Sequence, residues 1–148
     1  MSWSDFQSHI DLQTKSYLQI LQAIIPSMKE LKHGKIVSIL TSYTVGSPPN
    51  RLSDYVTAKY SLFGLSKALA VELGPYGITV NCVSPSMTDT PLIENLPSKL
   101  KEINASQTPL RRLASPLDVA SVVMFLCSKG SAFINGENIL VSGGQTMH

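Results

Sequence analysis

The 148-residue sequence predicts an α/β fold: half of a doubly wound parallel sheet, with helices on both faces. Three observations predict it. Segments with helical periodicity alternate with short apolar runs, in the order helix, strand, helix, strand, connecting segment, helix, strand. The runs K-I-V-S-I-L and I-T-V-N-C-V lack polar alternation, which suits strands covered on both faces. Charged residues are only 15% of the chain against 43% hydrophobic, so much of its surface is expected to be covered. Three strands are few for a doubly wound sheet, and the chain opens on what would be a crossover helix; the sheet reads as cut in half.

The first segment reads as one long helix. Ser4 with Gln7 three residues on forms a capping box, and Phe6, Ile10, Tyr17, Leu21, Ile24, Met28 and Leu31 recur at spacings of three, four or seven. Ile20 and Ile25 widen this stripe, which predicts burial on more than one side. Pro26 bends the last turn and Gly34 stops the helix. Residues 35–40 form the first strand, followed by a polar, Pro-rich connection. A second helix starts near Ser53 or Asp54 and runs to Leu73, with Val56, Leu62, Leu65 and Leu69 on its core face; Gly74, Pro75 and Gly77 end it. Residues 78–83 form the second strand, stopped by Ser84 and Pro85. Residues 91–107 are weakly helical and interrupted by Pro97; they read as a mobile lid. Ser115, Pro116 and Asp118 make a helix start that carries on to about Ser128. Asn138–Val141 is the last strand, ending at Gly143 and Gly144.

Composition narrows the function classes. A net charge of +2 is too small to argue for nucleic acid or an anionic membrane surface. No apolar run approaches the roughly 18 residues of a membrane span, and the N-terminus lacks the pattern of a signal peptide. Cys82 and Cys127 each sit in an apolar run, without C-x-x-C spacing, and read as core thiols of a reducing compartment, the cytoplasm. The few His and Cys residues build no metal site.

Tyr55 and Lys59 stand four apart on the second helix and share a face, with Cβ atoms about 6 Å apart. A fixed ammonium favours phenolate and is expected to lower the Tyr pKa, making the phenol an acid for a carbonyl or a base for an alcohol. Such a pair is common by chance, but its surroundings sharpen it. Ser42 lies thirteen residues before Tyr55, just beyond the first strand, where open α/β sheets hold ligands. The loop after the second strand, S-P-S-M-T-D-T-P, opens on the same side.

With these residues in place, the sequence resembles the short-chain dehydrogenase/reductase family, in its 3-oxoacyl-carrier-protein-reductase-like branch. The resemblance runs through L-Q-A-I-I-P-S-M, G-K-I-V-S-I-L-T-S, D-Y-V-T-A-K, G-I-T-V-N-C-V-S-P-S, R-R-L-A-S-P-L-D-V-A and N-G-E-N-I-L-V-S-G-G. It covers residues 1–148 but only the C-terminal, catalytic half of the family's Rossmann-like domain. It implies that Tyr55 is the catalytic acid/base, that Lys59 lowers its pKa and holds the nicotinamide ribose, and that Ser42 hydrogen-bonds the substrate oxygen. Thr41, at fourteen residues, ranks behind Ser42. Residues 85–90 would lie beside the nicotinamide amide and phosphates of NADP or NAD, through Pro85, Ser86, Thr88 and Thr90. Residues 91–107 would close over a small carbonyl or alcohol substrate. A homo-oligomer is implied.

The departures are specific. The family's relay Asn falls at Gln13, its Gly after Pro85 is Ser86, and its Asp before the final Gly pair is Ser142. No G-x-x-x-G-x-G occurs, so the phosphate-binding turn and the residue selecting NAD or NADP are expected on a complementing N-terminal half. Two functions compete: an NAD(P)-dependent oxidoreductase of ketones and secondary alcohols that needs such a half, and a non-catalytic homologue acting as an oligomerisation or interaction module. Arg51, Lys101, Arg111 and Arg112 read first as solvated surface charge, with an acidic carrier as the sharper alternative.

Overall fold

The computed structural model describes residues 2–148. Three parallel strands, β1 (Gly34–Ile39), β2 (Ile78–Pro85) and β3 (Asn138–Val141), lie in the order β1-β2-β3, with Ser38 opposite Cys82 and Cys82 opposite Asn138. β2 runs two residues past the expected stop. Pro85, which has no N–H to give, closes the ladder opposite Val141. The far edge of β1 pairs with no strand among the described residues.

Side-chain alternation divides the sheet. Ile36, Ile78 and Val80 pack under α2 (Ser16–Leu31) and α3 (Ser53–Leu73), with Leu21, Leu69, Ala70 and Leu73 closing the main core. A second cluster joins Leu40, Leu62 and Cys82, and Tyr17 touches both. Tyr17 also carries a buried polar contact: Ser38 Oγ donates to Tyr17 Oη at 2.7 Å. From the other side α5 (Pro116–Cys127) packs on β1 and β2.

The N-terminal helix corrects three expectations. Its start is α1 (Trp3–Ile10), capped by Ser2 and Asp5 rather than Ser4 and Gln7: Ser2 Oγ accepts from the Asp5 N–H and the Asp5 carboxylate accepts from the Ser2 N–H at 2.8 Å. It is not one uniform helix, because Asp11–Lys15 forms a π-helical turn before α2. The widened stripe is not buried on several sides: Leu21 is the buried residue of α2, and Ile20 is 60% exposed. Pro26 is accommodated inside α2, which ends at Leu31 with Lys32 in the left-handed conformation; Gly34 opens β1 instead of stopping the helix.

The remaining elements follow their local signals. α3 has the expected limits. After it Gly77 takes φ +70°, and a Cβ there would stand 2.5 Å from the Lys32 carbonyl oxygen, so only glycine fits. Residues 91–107 contain a 3₁₀ turn, Pro91–Ile93, and α4 (Ser98–Gln107), which Pro97 caps. Ser115 and Asp118 form the capping box of α5. Cys82 is buried as expected, whereas Cys127 is exposed. Among the described residues no helix is long and apolar enough to cross a membrane, and no group of His, Cys, Asp and Glu could hold a metal ion.

Candidate active site

A cleft of about 1080 Å³ follows the free edge of β1 and opens at its C-terminal end. Helices wall it on both faces of the sheet: Leu12, Gln13 and Lys59 on one, Val119, Val123 and Met124 on the other. Val37 and Ile39, the outward residues of β1, form its floor.

At the open end the structure gathers Thr41, Tyr43, Tyr55 and Lys59. Tyr55 and Lys59 come from the first turns of α3, one turn apart, with Lys59 Nζ 5.8 Å from the Tyr55 ring centroid. The ammonium is engaged elsewhere, donating to the Ile39 carbonyl at 2.8 Å. Burial pushes the Tyr55 phenol above its ordinary value; the Thr41 hydroxyl, directed at it, pulls the other way, and Tyr43 adds to the rise. Burial also pushes the Lys59 ammonium below its ordinary value. The phenol is therefore raised by desolvation and not lowered, contrary to what the Tyr–Lys spacing led one to expect; the ammonium is held at the Ile39 carbonyl.

Ser42 is not in the cleft. It is 2% exposed, and its carbonyl accepts from the N–H groups of Val45 and Gly46. Thr41 holds the position expected of Ser42. Its backbone is extended (φ −156°, ψ 148°), so it continues the alternation of Val37 and Ile39, which line the cleft; Thr41 is itself buried, at 5% exposed, and of the other parity Leu40 also reaches the cleft while Ser38 and Ser42 do not. Thr41 Oγ1 accepts from the Tyr43 N–H at 3.4 Å, which leaves its own hydrogen for a partner in the cleft. The turn Ser42–Thr44 is pinned from below: Thr44 Oγ1 donates to the Thr41 carbonyl at 2.8 Å, and Asn138 Nδ2 donates to Thr44 Oγ1 at 3.4 Å. Strand parity was the available signal for Thr41; nothing local marked Tyr43.

Pro85, Ser86, Thr88 and Thr90 all line the same cleft. The loop they form is strapped in place: Thr88 bridges to Ala114, the Ser86 N–H donates to the Val141 carbonyl at 3.1 Å, and the Asp89 N–H to the Ala114 carbonyl at 2.8 Å. Gln13 enters from the π turn, and its Oε1 is buried without a hydrogen-bond partner. Ser142 lies apart, donating to the Thr146 carbonyl at 2.9 Å. The basic residues do not converge on the cleft: Arg112 pairs with Asp118 at 2.5 Å, Arg111 donates to the Ser106 carbonyl and Lys101 to the Glu94 carbonyl.

Comparison with known proteins agrees with this geometry. The family model described as Enoyl-(Acyl carrier protein) reductase matches residues 1–146. The (2S)-[(R)-hydroxy(phenyl)methyl]succinyl-CoA dehydrogenase subunit BbsD of Thauera aromatica is 35% identical over 99% of this chain and 58% of its own length. Among solved structures, a 3-oxoacyl-[acyl-carrier protein] reductase from Brucella melitensis superposes with a TM-score of 0.94 at 30% identity, over 100% of this chain and 55% of that one. A Brucella melitensis reductase of the same description, with bound NAD, gives a TM-score of 0.91 at 30% identity, over 100% and 54%. The chain spans about half the length of the relatives it matches.

Proposed function

We propose that this chain, which belongs to the short-chain dehydrogenase/reductase family, supplies the catalytic half of an NAD(P)-dependent oxidoreductase that interconverts a ketone and a secondary alcohol. The observation that carries the reading is the convergence of Thr41, from the end of β1, with Tyr55 and Lys59, from the start of α3, at the mouth of one cleft beyond the C-terminal end of β1.

The residues fit a nicotinamide cofactor. The loop of Pro85, Ser86, Thr88 and Thr90 presents small polar groups to the cleft and is held rigid, while Lys59 keeps two further ammonium hydrogens beside its bond to Ile39. Lys59 would hold the ribose and the loop the nicotinamide amide and phosphates. When bound, the cofactor supplies or takes the hydride. The chain's own residues manage the proton: the Tyr55 phenol gives it to the carbonyl oxygen in reduction, and Thr41, in place of Ser42, donates a hydrogen bond to that oxygen. A phenol held above its ordinary value is protonated at neutral pH, which is the form that reduction uses.

The second component is a β-α-β unit carrying the glycine loop, on the same chain or on another. Its strand would pair with the free edge of β1, in the slot between Gln13 and Lys59 on one face and Val119 and Val123 on the other. The substrate, a small carbonyl or alcohol compound, would enter under residues 91–107. Homo-oligomerisation is part of the proposal.

The test is ketone-dependent oxidation of NADPH or NADH by the chain completed with such a unit. Turnover is expected for wild type, with a loss of about 10²–10⁴-fold in Tyr55→Phe. Equal turnover by Tyr55→Phe would contradict the reading and leave the chain as an interaction module.

A further inference from the structure

Three polar side chains that stand outside the cleft lining meet behind the turn that carries Thr41. Thr44 belongs to that turn, Ser84 to the end of β2 and Asn138 to the start of β3. They are 6%, 0% and 9% exposed. Ser84 Oγ donates to Asn138 Oδ1 at 2.6 Å, Asn138 Nδ2 donates to Thr44 Oγ1 at 3.4 Å, and Thr44 Oγ1 donates to the Thr41 carbonyl at 2.8 Å. The Thr44 N–H donates to the same carbonyl at 3.0 Å. A path of hydrogen bonds thus runs from β2 through β3 and ends on Thr41.

The path has one consistent direction. A hydroxyl has a single hydrogen, and that of Thr44 is committed to the Thr41 carbonyl, so Thr44 Oγ1 meets Asn138 as an acceptor. This sets the amide of Asn138 with Nδ2 toward Thr44 and Oδ1 toward the Ser84 hydroxyl. A donor and an acceptor on one rigid plane are needed there; leucine has neither, and aspartate would bury a charge with two acceptors. Because the groups are buried, leaving any of them unpaired is costly, and the network is stiff. Its effect reaches the cleft through the peptide that follows Thr41. That carbonyl is gripped by both donors of Thr44, while the Tyr43 N–H meets Thr41 Oγ1 at 3.4 Å from the other side. The Thr41 hydroxyl is therefore held with its own hydrogen free for the cleft.

We propose that Asn138 is a positioning residue of the reaction: through Thr44 it holds the Thr41 turn so that the Thr41 hydroxyl stays at the reacting oxygen. This rests on the reading of Thr41 as the donor to that oxygen beside Tyr55. Among the described residues β3 places no side chain in the cleft lining, so Asn138 acts on the chemistry only through its neighbours. It makes and breaks no covalent bond. A donor held in place favours the transition state, in which negative charge grows on the oxygen, more than it favours the bound ketone.

The test is steady-state kinetics of ketone reduction by the chain completed with its glycine-loop unit. Asn138→Leu keeps the size of the side chain and removes both of its bonds; Thr44→Val keeps the shape and removes the hydroxyl. Each is expected to lower kcat about tenfold, short of the loss of about 10²-fold expected for Thr41→Ala, and to leave KM unchanged. In a Thr41→Ala background either change is expected to cost nothing further, because the group it positions is gone. Gly77→Ala strains the turn after α3, outside the cleft lining, and is expected to keep the wild-type kcat below its melting temperature, which separates positioning from lowered stability. Thermal melting checks that each variant is folded in the assay, and Thr44→Val alone decides where Asn138→Leu is not. A wild-type kcat in Thr44→Val or in folded Asn138→Leu, a change confined to KM, or a loss that multiplies in full with that of Thr41→Ala would overturn the positioning while leaving the role of Tyr55 standing. A completed wild-type protein that turns over no ketone would overturn both.

Discussion

Thr41 meets the cleft and Ser42 does not because side chains of an extended chain alternate, and Thr41 shares the parity of Val37 and Ile39. Counting thirteen residues back from Tyr55 selects Ser42, but a count ignores which way the strand has turned its side chains. Two substitutions separate them. Thr41→Ala is expected to lower kcat about 10²-fold by removing a donor to the reacting oxygen, whereas Ser42→Ala should alter thermal stability and leave kcat nearly unchanged. Steady-state kinetics of both variants decides between them, and the reverse pattern would restore Ser42 to the role. The pH dependence carries a second sign. Alcohol oxidation needs Tyr55 deprotonated, and burial holds that phenol above its ordinary value of 10.0, so the oxidative rate is expected to climb into the alkaline range. Because Thr41 acts to lower the phenol, Thr41→Ala should shift that climb to higher pH. Tyr43 had no mark of its own in the sequence, since its place in the cleft depends on neighbours that only the fold supplies.

Elements defined by local chemistry were legible before the structure. Asn138–Val141 and α3 have their expected limits, because an unbroken apolar run and a Gly-Pro stop are signals within a few residues. The start of α5 was read correctly from Ser115, Pro116 and Asp118, while the capping box of α1 was placed two residues late, at Ser4 instead of Ser2. The π turn Asp11–Lys15 was invisible, since nothing in the spacing of apolar residues distinguishes it from the helix around it. Two predictions belong at this scale. Gly77→Ala forces a Cβ into a left-handed position against the Lys32 carbonyl, and is expected to cost at least about 1–2 kcal/mol in denaturant unfolding; no loss would mean that the α3–β2 turn relaxes freely. Asp118 is held well below its ordinary 3.8 by Arg112 and the Ser115 cap. A carboxyl lowered in the folded state contributes stability above its unfolded value, and loses it as pH falls through the folded one. Asp118→Asn should therefore melt below wild type at pH 7, with the gap narrowing as the pH drops below about 3.8. A gap that is constant with pH would assign the effect to shape rather than charge.

At the scale of the molecule the proposed function makes one sheet edge both catalytic and docking. The free side of β1 is an apolar slot between two helix layers, and its upper end holds Tyr55, so a strand that pairs there would also complete the walls around Tyr55. The same proposal would account for the scarcity of charge: 15% charged residues would suit a chain whose outer faces are met by other elements. The account stands on the claim that this edge, once completed, moves hydride between a nicotinamide and a carbonyl with Tyr55 handling the proton. The most direct measurement follows the hydrogen itself: a nicotinamide carrying deuterium at C4 is incubated with a ketone and the chain completed by its glycine-loop unit, and the alcohol is analysed by mass spectrometry. The account predicts deuterium on the carbinol carbon with wild type and little or none with Tyr55→Phe. An alcohol without deuterium, no alcohol at all, or equal deuterium transfer by Tyr55→Phe would contradict it.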